Sequence, residues 1–291
     1  MEWINALVQG VLLGGLYALL AIGLSLVFGV MRLVNLANGD LAVLAAYLSL
    51  VLVRVSGVDP FLAIPFVVAA MAVGGYILQR TVLNYTVDRG PLPPLMVTFG
   101  LAVIIQNVLL QAFTADSRGL DAGAIETASI SVSEDLAVGW FPLLTLLVAV
   151  ATLGCLSLLL GRTQLGRALR ATSDDHEAAQ IVGIDNRHLY GVAMAIAMAT
   201  VALAGVFLGI RTTFAPGDGP VRLIFAFETV IIGGLGSLWG TLVGGIILGV
   251  AQAFGNQVNP AFQILAGHLV FLAILVVRPQ GLFPRATARQ A

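Results

Sequence analysis

The chain has 291 residues, of which 59% are hydrophobic and only 10% are charged, whereas about a quarter of the residues of a typical soluble domain are charged. Its net charge of −1 excludes a general electrostatic affinity for nucleic acid. Apolar runs long enough to cross the roughly 30 Å hydrocarbon core of a bilayer as helices recur from one end to the other. We therefore predict an all-α polytopic membrane protein, with residues 1–291 forming a single transmembrane domain.

Seven apolar runs are predicted to be transmembrane helices, and one further stretch is predicted to be irregular. The seven runs are 3–30, 37–53, 61–78, 95–113, 140–161, 189–210 and 262–277. The stretch 225–255 is too long for one simple crossing and too rich in glycine for an ordinary one, so it forms either two short spans or a broken, re-entrant hairpin. The predicted bundle has about seven to nine crossings.

The distribution of arginine predicts the orientation of the bundle. With the arginine-rich loop 161–190 in the cytoplasm, ten of the fourteen arginines lie inside, as the positive-inside rule requires. The four that lie outside are Arg54, Arg118, Arg211 and Arg222. The N-terminus is then external and the C-terminus cytoplasmic. The largest external loop, 114–139, is acidic and polar enough to face water, either as a plain connector or as a surface that receives a partner.

The loop 161–190 is the only long block of charge in the sequence. Asp174 followed by Glu177 has the spacing of a capping box, and Gly183 is a helix stop, so a short helix is predicted over 175–182. Its apolar residues Ala178, Ala179, Ile181 and Val182 gather towards one side. This helix is either a solvated connector between two spans or a small knob that a partner holds.

The chain lacks the usual signatures of catalysis. All fourteen basic residues are arginine, which excludes a P-loop lysine, a Schiff-base lysine and a lysine general base. The segment HEAAQ at 176–180 lacks the second histidine of a zincin site, and Cys155 is the only cysteine. We predict that the chain is not an enzyme and binds no metal or cofactor. If transport uses ATP, another chain hydrolyses it.

Several polar and glycine residues in apolar surroundings are candidates for a translocation path. Asp40 and Glu228 are functional candidates because ionisable side chains are costly in a membrane, although both could lie at the interface, Asp40 as a first-turn acid. The glycines around 233–236 free backbone groups that can line a cavity. The complete candidate set is Asn35, Asn38, Asp40, Glu228, Gly233, Gly234 and Gly236. Gln106, Asn107 and Gln111 are interpreted as interhelical hydrogen-bonding groups, and G-x-x-x-G spacings at 10/14, 205/209, 236/240/244 and 245/249 as helix-packing stripes.

Five regions carry a family resemblance that covers nearly the whole chain, in the family's order. They are GGLYALLAIGL at 14–24, NLANGD at 35–40, GRALRAT with AAQIVGID at 166–185, AFETVIIGGLGSLWG at 226–240, and RPQGLF at 278–283. The chain resembles the LivH-type permeases of branched-chain amino acid ABC importers, a family of hydrophobic amino acid uptake. It departs from the family's pattern at Asn38, where a histidine is common.

The resemblance implies a multi-pass permease of the bacterial inner membrane that moves branched-chain or other hydrophobic amino acids inward. It implies four kinds of partner: a second, LivM-like permease chain, two cytoplasmic ATPase subunits that hold ATP and Mg, an extracytoplasmic substrate-binding protein, and the bilayer. The short helix then becomes a coupling helix seated on an ATPase. The residues implied in coupling are Asp174, Asp175, Glu177, Ala178, Ala179, Ile181, Val182 and Gly183.

Three other functions stay open at this stage. A permease for urea or short amides carries the same motifs within the family. An ion-coupled secondary transporter working alone would use Asp40 or Glu228 as its coupling acid. A membrane scaffold that transports nothing would use the loop 161–190 to bind an unrelated partner.

Overall fold

The computed structural model of the chain describes residues 2–133 and 136–283. Eight of its helices are long and apolar enough to cross a membrane. They are α1 (Glu2–Met31), α2 (Asn38–Ser56), α3 (Pro60–Thr81), α4 (Leu92–Phe113), α6 (Trp140–Arg162), α9 (Asn186–Arg211), α11 (Leu238–Val258) and α12 (Gln263–Val277). The last of these spans includes the 3-10 turn Pro260–Phe262 that precedes α12. The shorter helices are α5 (Ala124–Thr127), α7 (Gln164–Asp174), α8 (His176–Ile181) and α10 (Gly219–Gly233). The predicted all-α, polytopic fold is confirmed.

The core of the bundle is α1, which packs along α6, α9 and α11. Its glycines Gly10 and Gly14 face Gly249 and Gly245 of α11, and a side-chain carbon placed at Gly245 would lie 2.6 Å from the Gly14 carbonyl oxygen. These two helices therefore touch backbone to backbone, as glycine stripes permit. The predicted packing role of both stripes is confirmed.

The second helix begins inside the bundle and not at its edge. Residues 32–37 are not helical and lead from the end of α1 back into the protein. Leu36 N donates to Thr98 Oγ1 at 3.2 Å, and the Asn38 side chain donates to the carbonyl of Leu20, in the middle of α1, at 3.2 Å. The polar residues at the start of α2 therefore lie at the middle depth of the bundle.

The stretch 225–255, predicted to be two short spans or a broken, re-entrant hairpin, contains two antiparallel helices joined by a break. The 15-residue helix α10 ends at Gly233, residues 234–237 break the helix, and α11 starts at Leu238. Gly234 and Gly236 have φ values of 102° and 78°, which favour glycine. After the break α11 runs back along α10, with Gly244 against Thr229 and Gly240 against Gly233.

The segment after α12 returns to cap α10. Leu282 N donates to the carbonyl of Ile232 at 2.9 Å, and Phe283 N donates to the carbonyl of Gly233 at 3.0 Å. These carbonyls belong to the last turn of a helix, where no intrahelical donor is available. The motif RPQGLF thus satisfies the C-terminal end of α10.

The two long loops lie at opposite ends of the bundle. The segment 114–139 contains α5 and an antiparallel pair of strands, β1 (Ser129–Ser133) and β2 (Leu136–Gly139), and Gln9 near the start of α1 donates to the Ala137 carbonyl at 2.8 Å. At the other end Ser173 donates to the carbonyl of Gly29, near the end of α1, at 2.7 Å. Residues 134 and 135, which contribute to the predicted acidity of the outer loop, lie outside the described residues.

Candidate functional site

The charged loop folds into two helices where one was predicted. Helix α7 continues through Asp174, so Asp174 is not the N-cap of the short helix. Asp175 caps α8, and its Oδ1 accepts from the backbone N–H groups of Glu177 and Ala178, both at 3.0 Å. The predicted cap is therefore wrong by one residue, because α7 buries Leu169 and so extends to Asp174. The predicted stop at Gly183 is confirmed, with a φ of 87°.

Helix α8 is anchored firmly to the bundle in spite of its length. The Asn186 side chain at the start of α9 donates to the His176 carbonyl at 2.6 Å and accepts from Thr172 Oγ1 of α7 at 3.1 Å. Ile184 N donates to the Ala179 carbonyl at 3.0 Å, which closes the end of α8. The pair α7–α8 is thus bonded to the ends of both α1 and α9, and a force on it reaches the core.

Of the four apolar residues predicted to gather towards one side, Ala178, Ile181 and Val182 are exposed, whereas Ala179 is not. Ala179 is buried against the protein, whereas Ile181 and Val182 are 86% and 75% exposed. Ala178, Glu177 and both aspartates of the region are also exposed. Ile181 and Val182 lie beyond the ends of the long helices, where water and not lipid surrounds the protein. We call these two exposed side chains the apolar tip.

The first three path candidates come together at the start of α2. Asn35 Oδ1 accepts from the backbone of Ala37 at 3.0 Å, and Asn38 N donates to the Asn35 carbonyl at 3.2 Å. Asp40 is 2% exposed, and its Oδ1 accepts from Gln106 Nε2 of α4 at 2.8 Å. Asp40 also lies against Gly219, the first residue of α10. It is therefore a buried, partnered acid in the interior and not a surface acid at the interface.

Glu228 belongs to a second polar group on the other side of α10. It forms a hydrogen bond with His268 of α12, and its Oε2 has no partner among the described residues. Nearby, Tyr17 of α1 donates to Gln252 of α11 at 2.5 Å.

The glycine candidates occupy the break between α10 and α11. Gly233 and Gly240 lie in backbone contact, Gly234 ends α10, and Gly236 lines a pocket of about 290 Å³. Other residues of this pocket are Ser25, Gly29, Ser157 and Arg170. Because Arg170 belongs to α7, the pocket lies between the helix break and the α7–α8 pair.

The structure thus divides the predicted path residues into three places that surround α10: the start of α2, the pair with His268, and the glycine break. Sequence reasoning missed Tyr17, Gln252 and His268 and assigned Arg222 to an external loop, although it lies in α10. The available signal was weak: His268 is the only histidine within an apolar run, and Gln252 is a lone amide in another.

Comparison with known proteins gives the family. The sequence profile described as the permease component of the branched-chain amino acid transport system covers residues 6–277. The chain belongs to this family of permease components. With its eight membrane-length helices, this permease component is a multi-pass protein of the inner membrane.

Individual relatives cover nearly the full length of the permease. It is 26% identical over 299 residues to the high-affinity branched-chain amino acid transport system permease protein BraD of Pseudomonas aeruginosa, with 98% of this chain and 96% of that protein covered. It is 27% identical to the corresponding protein LivH of Escherichia coli K12, with the same coverage. It is also 26% identical to LivM of E. coli K12, with 92% of this chain and 68% of LivM covered.

Proposed function

We propose that this chain is the transmembrane permease subunit of an ATP-driven importer that moves branched-chain or other hydrophobic amino acids into the cytoplasm. The observation that carries the proposal is the exposed apolar tip of Ile181 and Val182 on the anchored α7–α8 pair. The relatives named above are permeases of branched-chain amino acid transport systems, which supports this substrate class.

The proposal includes four partner chains and an assignment of the loops. A second, LivM-like permease completes the path, and two cytoplasmic ATPases hold ATP and Mg. An extracytoplasmic protein delivers substrate at the end of the bundle where loop 114–139 lies. The α7–α8 pair lies in the cytoplasm, where its apolar tip fits a cleft in one ATPase. The absence of lysine is consistent with this division, since the chain has no P-loop lysine of its own.

Transport then proceeds by alternating access. When the ATPases close, they move the α7–α8 pair, and the bonds of Ser173 to Gly29 and of Asn186 to His176 transmit the movement to α1 and α9. Arg170 of α7 and Gly236 line the same pocket, so α7 lies close to the break between α10 and α11. A movement of α7 therefore acts on the short helix around which the polar candidates lie.

The test is purification of the complex with the apolar tip altered. We expect the ATPases to co-purify with the wild-type chain and to be lost from the Ile181→Ser, Val182→Ser double variant, because the substitutions remove the apolar surface that docks. Val55→Ser is the matched control, since Val55 is 82% exposed at the end of α2, beyond the opposite end of the bundle. It should keep both the ATPases and uptake.

Two results would overturn the proposal. One is ATP-dependent uptake by the double variant at the level of the control. The other is transport by the isolated chain in liposomes on an ion gradient alone. Uptake assays with leucine, isoleucine, valine, urea and a short amide separate the substrate classes, and saturable transport of the last two alone would overturn the amino acid assignment.

A further inference from the structure

One side of the bundle carries polar side chains at the middle depth of the long helices. We call it the polar face, and it is formed by α4, the start of α10 and α12. Helix α10 lies at its centre, because the turn before α10 contacts α4 and α10 itself contacts α12. Its polar residues are Gln106, Asn107, Asp218, Arg222 and His268.

These residues lie well inside the membrane-length helices. Gln106 binds Asp40, which is level with the middle of α1, and His268 stacks against Phe225, whose ring contacts Tyr17 at 5.1 Å. Nevertheless they are only partly buried: Asp218 and Arg222 form an ion pair at 3.9 Å with side chains 36% and 20% exposed, and the His268 side chain is 36% exposed. Exposed charge at this depth would be costly against hydrocarbon.

The backbone of this face also cannot face lipid. Helix α10 begins beside Gly39, at the start of α2, so its first turn, whose N–H groups have no intrahelical acceptor, and the 3-10 turn Pro216–Asp218 before it lie within the bundle's depth. Irregular backbone at membrane depth is tolerated only where protein or water covers it. In addition, Arg222 Nε and Glu228 Oε2 lack hydrogen-bond partners among the described residues.

Other outer faces of the bundle differ in composition. The strongly exposed large side chains of α3 include Leu62, Phe66, Val73 and Ile77, and those of α6 include Leu147 and Leu158. Between the ends of these two helices, the large exposed side chains are all apolar. Helices α4 and α12 also expose large apolar side chains, such as Ile104 and Leu269, so the polar face is distinguished by the partly exposed polar side chains that lie among them.

We propose that the polar face packs against a second permease chain of the same fold and lines the path between the two chains. The inference rests on the proposed function. The occupant is a different but related chain, because E. coli K12 has two permease proteins of the high-affinity branched-chain amino acid transport system, LivH and LivM, and both align with most of this chain. Arg222, Asp218 and His268 then border a hydrated path at the depth of Tyr17.

Site-directed cross-linking within the complex tests the face. Cys155 is the only cysteine, so Cys155→Ser provides a background without thiols. Single cysteines are placed on the polar face, by Ile224→Cys on α10 and Val103→Cys on α4, where the native residues are 48% and 41% exposed. Controls of similar or greater exposure are Phe66→Cys on α3 and Leu147→Cys on α6, at 67% and 57%.

Each cysteine is labelled with a thiol-reactive photo-cross-linker in the purified complex. The two polar-face variants should give a gel shift to the combined mass of this chain and the second permease. The two controls should not give that product. Ile224→Cys should also react with a water-soluble, membrane-impermeant maleimide, and the controls should not.

The outcomes separate this inference from the proposed function. If the second permease co-purifies but cross-links through α3 or α6, the polar face is wrongly assigned while the importer assignment stands. A product with the mass of two copies of this chain would overturn the choice of occupant. A purified complex without any second permease chain would overturn both the partner proposed for transport and the occupant of this face.

Discussion

At the scale of single residues, the fold depends on positions where any side chain would collide with backbone. Gly245 lies against Gly14 and Ala18 of α1, and an added carbon would lie 2.8 Å from the Ala18 nitrogen. A side-chain carbon added at Gly154 of α6 would have no atom of another helix within 4 Å. The same residue type therefore has opposite roles in two neighbouring helices.

This contrast predicts the effect of two matched substitutions. Gly245→Ala should destabilise the chain by roughly 1–3 kcal/mol, because α1 and α11 must separate to admit the methyl group. Gly154→Ala should cost nothing and can stabilise α6 slightly, since alanine is the better helix former. Thermal unfolding of the purified chain in detergent measures both, and equal unfolding temperatures would contradict the packing described for α1 and α11.

Asp40 gives a second prediction, because the structure makes it a hydrogen-bond acceptor. Asp40→Asn should keep ATP-dependent uptake, since the amide oxygen can still accept from Gln106. Asp40→Leu should destabilise the chain by roughly 1–3 kcal/mol, because it leaves the half-buried Gln106 amide without that acceptor. Uptake and unfolding temperature are measured for both. Loss of uptake in Asp40→Asn at an unchanged unfolding temperature would instead favour a coupling acid.

At the scale of elements, the sequence predicts long helices well and short ones poorly. The apolar runs that span a bilayer are decided by their own composition, and each predicted run corresponds to a helix. Helix α7 is polar and is stabilised by the burial of Leu169 and Thr172, a tertiary contact that no local pattern contains. That is why the predicted cap fell on Asp174. Likewise, the sequence left an interface position open for Asp40, because nothing local shows that the chain re-enters the bundle before α2.

The two adjacent aspartates allow a test of the corrected cap. Asp175→Ala should cost about 1 kcal/mol, because it removes the acceptor for the first N–H groups of α8. Asp174→Ala should leave α8 intact, since Asp174 is exposed and is not the cap. Hydrogen exchange at 176–181 distinguishes the two, with faster exchange expected only in Asp175→Ala. Faster exchange in Asp174→Ala alone would restore the capping box predicted from the sequence.

At the scale of the whole molecule, helix α10 decides the sidedness of the chain. Eight crossings would place both ends of the chain on one side of the membrane, whereas α10 adds a ninth passage and places them on opposite sides. The contacts of the described residues agree with nine: Trp3 at the start of α1 touches Phe254 near the end of α11, while Leu282 lies at the helix break. The orientation predicted from arginine requires the same odd number.

Cysteine labelling in spheroplasts of the Cys155→Ser background tests this parity. Ser129→Cys in the outer loop should react with an impermeant maleimide in intact spheroplasts. Gln280→Cys after α12, and Ala178→Cys on α8, should react only after permeabilisation, because nine passages place both on the cytoplasmic side. All three native residues are exposed, so accessibility within the protein does not differ. Labelling of Gln280→Cys together with Ser129→Cys, while Ala178→Cys stays protected, would mean that α10 returns to the side it entered from. The short helix would then be a re-entrant loop, and the path would have to close around it from one side only.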